Sequence, residues 1–435
     1  MTLTPHMPPP FPSRPADVPS LDSSGDQPPV IGRRYLLSCP IPHYVDADGA
    51  LWLDPLWHRD FIRHFTYLRD LILASPFHGA PPPGSDLKKV EVPPGNRLEL
   101  IHLPRMESTG RAVLDLPRTT QLLWKAIGLA DLVHSGVVGW PYPLGWIINP
   151  LALVRRKKLI LVVESATWRL TGSAEDTWTR RVRAGLTERL ARWSINRAHL
   201  SVFTHEGFRD TLLTRGRGPG EVIPASWIDE EDILSHSRAD ALWRDKRAAG
   251  PPVRLLFAGR LTPDKGVLLL RDALAALPAQ GPALLVDVMG DGPLRAECEA
   301  LAGERGRLRV RYVEPVASGR PFLAALGRYH ALVVPSLSDE QPRVVFDAAS
   351  QAVPVIAADT AGLRPHVDVD ETGWLFARGD GGALAAALER AAGDPAALER
   401  MGKTALRRAI TMTHAEMHRR RWRALVDHLG LSVQQ

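Results

Sequence analysis

The chain has 435 residues, 45 % of them hydrophobic, and a formal net charge of +6 with a sequence pI near 9.5. That length exceeds one hydrophobic core and predicts two domains of globular composition. The charge suits nucleic acid, an anionic membrane surface or phosphorylated substrates, but no zinc-finger spacing, aromatic RNP motif or basic zipper is present, which sets nucleic acid aside; Cys39 and Cys298 supply neither a disulfide framework nor a cysteine metal site, which fits a reducing cytoplasm.

Residues 1–30, with PHMPPPFPSRP and SLDSSGDQPP, hold too little apolar surface to offset ordering entropy and read as a disordered Pro-rich tail without the features of a signal peptide. From Ile31 onward, YLLSCPIP, RLELIHLP, ADLVHSGVV, KLILVVES and AHLSVFTHEG read as buried strands. LWHRDFIRHFTYLRDLIL, residues 56–73, and WTRRVRAGLTERLARWSINR have apolar residues at helical spacing. Leu132 to Val154 carries no Asp, Glu, Lys or Arg and is long enough to cross a bilayer, but Pro141, Pro143 and Pro150 would break a spanning helix. It reads as a buried or interfacial segment, whose Trp140, Tyr142 and Trp146, beside the basic run Arg155 to Lys158, suit a peripheral membrane contact. Thr214 to Pro252 is rich in Gly, Pro and charge and holds the interdomain connection, so that residues 31–235 form a first domain and 236–412 a second.

The second half repeats the alternation. VRLLFAGR, ALLVDVMGDG, LRVRYVEPV, HALVVPS and VPVIAAD are predicted strands; GVLLLRDALAALP, PLRAECEALAGE, PRVVFDAASQ and GALAAALERAAGDP are predicted helices. Each half is thus an α/β, Rossmann-like doubly wound domain, in which ligands bind outside the carboxyl ends of the strands. MHRRRWRALVDHLG, within residues 413–435, reads as an amphipathic basic helix.

Four features at or beyond those strand ends carry chemistry. Arg260 and Lys265 flank a turn after a buried strand, where a planar donor fork and a mobile cation can neutralise a departing diphosphate. In MGDGPL, Gly290 and Gly292 let the backbone approach a ligand, and the missing third glycine of the dinucleotide fingerprint rules out NAD. Asp339 and Asp347 stand eight positions apart, the first ahead of a helix opened by Pro342 and the second about one and a half turns inside it. The first can hold sugar hydroxyls and the second can reach a ribose diol. No His or acid cluster has ligand spacing, so no metal site is expected.

In order, the GRL turn with Gly259, Arg260 and Lys265, then GDGPL, PSLS before an acidic pair, VPVIAAD and DETGWL resemble the carboxyl-terminal half of GT-B glycosyltransferases, specifically the family 4 retaining enzymes. The resemblance covers residues 253–412 and implies two Rossmann-like domains facing across a cleft. It also implies an EC 2.4 enzyme that takes a nucleotide-sugar donor as substrate and needs no cofactor. Arg260 and Lys265 would lie on the diphosphate, Asp347 on the ribose, Asp339 near the sugar, and the backbone of Val313 to Pro315 by the base. Where the family carries two Glu, this chain has Asp339 and Asp347, and Glu340-Gln341 replaces a Gly-Phe pair, so Glu340 is a second candidate for the sugar.

The same resemblance has the final helix pack back on the first domain. It also places Glu164 where many members carry a histidine near the reacting carbon. There Glu164 can stabilise positive charge or contact an acceptor hydroxyl, or it can simply cap a turn or pair with Arg169. His134 and, with less weight, His205 and Glu206 are further candidates on that side. The function implied is sugar transfer from a nucleotide diphosphate to a hydroxyl, with retention, in polysaccharide or glycolipid synthesis. The alternatives are an inert scaffold subunit and a nucleotide-sugar epimerase on the same fold.

Overall fold

A computed structural model of the chain describes residues 30–170, 177–431 and 433–434. The expected tail over 1–30 lies outside the described residues except for Val30. The first domain is built on seven strands: β1 (Tyr35–Ser38), β2 (Asp70–Pro76), β3 (Arg97–Leu103), β4 (Leu132–Gly136), β5 (Lys158–Val163), β6 (Leu200–Phe203) and β7 (Gly220–Val222). All pair in parallel, in the order β7-β6-β5-β4-β1-β2-β3. The second sheet comprises β8 (Val253–Ala258), β9 (Leu284–Met289), β10 (Gly303–Arg305), β11 (Leu308–Val313), β12 (Ala331–Val334), β13 (Val355–Ala358) and β14 (Gly373–Phe376). Its order is β10-β11-β9-β8-β12-β13-β14, with only β10 antiparallel. Both sheets therefore reverse direction beside their first strand, between β1 and β4 and between β8 and β12, and those switch points open crevices at the carboxyl ends.

The helices used below are α1 (Pro55–Arg63), α2 (Leu116–Leu129), α3 (Gly145–Val154), α4 (Trp178–Ile195), α5 (His236–Ala249), α6 (Val344–Ser350) and α7 (His414–Leu429). Helices α2, α3 and α4 cover one face of the first sheet, and Leu123, Ile148 and Ile195 join one core cluster with strand residues. On the opposite face α7 contributes Met417, Ala424, Leu425 and Leu429 to a second cluster. The second domain has one large core, in which Trp243 of α5 is fully buried.

Three predicted elements differ. The helix expected over 56–73 is α1, capped by the Asp54 carboxylate at Leu56 and Trp57, followed by a single 3-10 turn and then β2. Leu71, Ile72, Leu73 and Ala74 are all fully buried, as a central parallel strand requires and a one-faced helix cannot provide. Part of the expected linker is α5: Ser235 caps it and Trp243 donates to the Ala352 carbonyl at 3.0 Å. The uncharged stretch 132–154 is β4, a turn and α3, and no helix among the described residues is long and apolar enough to cross a membrane.

Candidate active site

The second switch point opens onto a cavity of about 530 Å³. Gly259 and Arg260 after β8, Gly290 after β9, Pro315 after β11 and Asp347 of α6 line it, with Arg59 of α1 closing it from the first domain. The backbone explains the glycines. A Cβ on Gly290 would stand 1.9 Å from the Gly259 carbonyl oxygen, so only glycine lets the ends of β8 and β9 come together. Gly259 faces open space, with nothing nearer a would-be Cβ than Phe257 at 4.0 Å. The Arg260 side chain is exposed and makes no hydrogen bond among the described residues, so its donor fork is available to a ligand.

Asp347 is half-buried, and burial pushes its carboxyl up to about 7 against the opposing pull of Arg343 and Arg59. It stands nearer the helix start than its spacing from Pro342 suggested. Pro342 and Arg343 accept from Val345 and Phe346 in tight three-residue turns, and α6 begins only at Val344, which puts Asp347 in its first turn.

Lys265, Asp339, Glu340 and Gly292 do not line this cavity. The Lys265 ammonium lies 3.3 Å from Glu340 and 3.5 Å from Asp264. Burial raises the Asp264 carboxyl, but the Thr262 hydroxyl, Lys265 and Arg260 outweigh it and hold the group below its ordinary value. Asp339 pairs with Arg378 at 3.1 Å. Gln341, at a position expected only as a departure from the resemblance, donates to the Ala225 carbonyl and accepts from the Ala225 amide, both at 3.1 Å, and so clamps the loop before α6 to the connection after β7.

The first switch point holds a smaller cavity, about 230 Å³, lined by Ser38, Asp60, His134, Glu164 and Arg421 among others. Glu164 is exposed immediately after β5 and accepts from Arg421 at 3.1 Å. The expected partner Arg169 is instead bound to Glu188 at 2.9 Å. His134 lies inside β4 and meets the Tyr35 hydroxyl at 2.9 Å, and burial holds its imidazole well below the ordinary value. Beneath this cavity Asp60 takes both His414 and His418, at 3.0 and 3.1 Å, on one carboxylate oxygen, with Arg421 3.9 Å from the same oxygen. These three residues could by position hold a metal ion. The buried guanidinium opposes a cation there, and the oxygen already has its donors.

His205 received little weight in the sequence. It is buried just beyond β6, and neither ring nitrogen has a hydrogen-bond partner among the described residues. Burial lowers it to about 4, with the nearby Asp339 pulling upward. Gly207, two residues on, faces Ala361 of the second domain, so this end of β6 meets the Asp339 loop across the domain boundary. No sequence signal joins residues so far apart.

Two doubly wound domains facing across a cleft, each with a switch point opening onto it, are the GT-B fold. Residues 252–394, about a third of the chain, match the family described as Glycosyl transferases group 1. The D-inositol 3-phosphate glycosyltransferase of Corynebacterium glutamicum (strain R) is 29 % identical over 306 residues, which cover 66 % of this chain and 69 % of the relative. Among solved structures, sucrose-phosphate synthase from Thermosynechococcus elongatus superposes with a TM-score of 0.65 at 18 % identity, covering 92 % and 99 % of the two chains. HepE of Anabaena, solved with UDP, gives a TM-score of 0.58 at 16 % identity over 91 % and 100 %. At such identities the structures speak to the fold.

Proposed function

We propose that the enzyme transfers a sugar from a nucleoside diphosphate donor to a hydroxyl acceptor with retention, as a family 4 enzyme. The observation that carries this reading is the single cavity shared by Gly259, Arg260, Gly290 and Asp347. A diphosphate fits against Arg260 and the bare backbone of the two glycines, a ribose diol donates to the Asp347 carboxylate, and a base lies along Pro315. That HepE, which shares this fold, was solved in complex with UDP supports a nucleoside diphosphate donor.

Lys265, paired with Glu340 and Asp264 outside the cavity lining, is assigned by the resemblance to offset charge on the departing phosphate, and Asp339 and Glu340 to take sugar hydroxyls. The anomeric carbon–oxygen bond breaks with its electron pair left on the diphosphate. The acceptor oxygen bonds to that carbon, and its proton passes to the departing phosphate oxygen. Glu164, oriented by Arg421, meets the acceptor from the first domain, and lipid-linked or polysaccharide hydroxyls are the acceptor class.

A panel of nucleotide sugars measured by thermal shift and calorimetry tests this. One donor should raise the melting temperature. Arg260→Ala should weaken its binding by about tenfold to a hundredfold, the scale of hydrogen bonds to charged groups. Unchanged donor binding and turnover in Arg260→Ala overturns the diphosphate assignment.

A further inference from the structure

Fifteen large apolar side chains stand exposed among the described residues, and ten of them lie between Val113 and Leu186. Val113 and Leu114 just precede α2 and Trp140 and Leu170 lie in loops, while the other six lie on the outer side of the α2, α3 and α4 layer. Its inner side is spent on the first core, so the helices are apolar on both faces. On α4, Trp178, Val182 and Leu186 recur every fourth residue on the side away from the buried Thr187, Ala191 and Ile195. Leu114 is 77 % exposed, Trp178 76 % and Val154 71 %.

The charge on the same layer is one-sided. Residues 109–129, 145–157 and 177–197 together carry twelve Arg and Lys against two acids, Asp115 and Glu188, a net of +10 in a chain whose total is +6. The remainder of the molecule is therefore net negative, and the basic excess belongs to this face. Arginines also stack on its tryptophans: Arg155 lies 3.8 Å over Trp124 and Arg197 4.8 Å over Trp193.

We infer that this helical layer is a docking surface for an anionic phospholipid bilayer. Helices lying flat with Trp, Val and Leu outward and arginines beside them suit the headgroup boundary, where apolar tips enter the acyl region and guanidinium groups meet lipid phosphates. Large apolar side chains gathered on one face of a protein usually mark a surface that meets a partner or a membrane. The placement also has a sense relative to the cleft. Trp140, 58 % exposed, follows β4, and Trp178 opens the helix after β5, so both stand at the carboxyl edge of the first sheet, the edge that bears Glu164. A bilayer on this face borders the mouth of the acceptor side. The inference stands on surface chemistry and does not depend on the donor assignment.

The test is co-sedimentation of the full chain with phosphatidylcholine vesicles, with and without phosphatidylglycerol, at low and high salt. The protein should pellet with the anionic vesicles at low salt and be released as salt rises. A triple variant, Trp178→Ser, Val182→Ser and Leu186→Ser, should lose about tenfold or more in partition, from lost apolar burial. It should keep its melting temperature and donor binding, because these side chains touch neither the core nor the cavity. Wild-type protein that stays in the supernatant with anionic vesicles, or a triple variant that pellets as wild type does, overturns the inference.

Discussion

On the proposed donor site, Asp347 should couple donor binding to pH. Its carboxyl is pushed up to about 7 by burial, and only the ionised form accepts both hydroxyls of a diol. Donor affinity should therefore rise as pH climbs through 7, and Asp347→Asn should flatten that rise while weakening binding by roughly tenfold to a hundredfold at pH 8, read by calorimetry. The stability effect has the opposite sign. An acid raised above its unfolded value stabilises the fold at low pH and loses that contribution as pH rises from about 4 to about 7. The same variant should then melt higher than wild type at pH 8. That Arg260 and Asp347 meet at one strand-end cavity was legible in the sequence, because each belongs to a local motif with fixed spacing from a strand or helix. The engagement of Lys265 was not, since its partner Glu340 lies 75 residues away, and the Glu164–Arg421 pair spans 257. Spacing along the chain carries no information about such contacts.

At the level of elements, α7 binds the first domain through Asp60 of α1 as well as through apolar contact. Asp60 is held well below its ordinary value despite the desolvation that opposes ionisation, because His414, His418 and Arg421 all face it. Asp60→Ala leaves two imidazole N–H groups without their acceptor and takes a nearby carboxylate from the buried Arg421, which among the described residues keeps only Glu164. It should cost roughly 3–5 kcal/mol in urea denaturation, as removing one member of a buried charged group does. Element identity was read well where one signal dominated: KLILVVES is a continuous apolar run and is β5, and the 178–197 period is α4. It failed where signals overlapped. Helical spacing through LWHRDFIRHF ran without a break into DLILASP, so the strand was absorbed into the helix. In 236–249 the many charges hid the one inward face, which Trp243 anchors.

For the whole molecule, buried neutral histidines set acid tolerance. Burial lowers His43, His205, His330 and His366 to about 4 and His418 to about 3, while the unfolded chain protonates these groups near ~6.5. Below that pH the unfolded state takes up protons that the fold refuses, so stability falls on acidification, by up to about 1.4 kcal/mol per pH unit for each histidine. Between pH 4 and 7, Asp347 works the other way among the described residues. The melting temperature should drop steeply between pH 6.5 and 4, and His330→Phe, beside Trp243, should shallow the slope.

The two-domain plan was legible because strand and helix signals alternate twice; the path of the chain between the domains shows in the structure. The chain leaves the first domain after β7, builds the second, and returns through α7, with His414 donating its backbone amide to Ile228 where the two crossings touch. The second domain is thus an insertion within the first. A ribosome that has finished residue 412 has supplied a complete donor-side domain, yet Asp60 and the apolar face awaiting Met417 and Leu425 are still uncovered. The domain that starts emerging first is the last to close, and its exposed seam is where a chaperone would find the nascent chain.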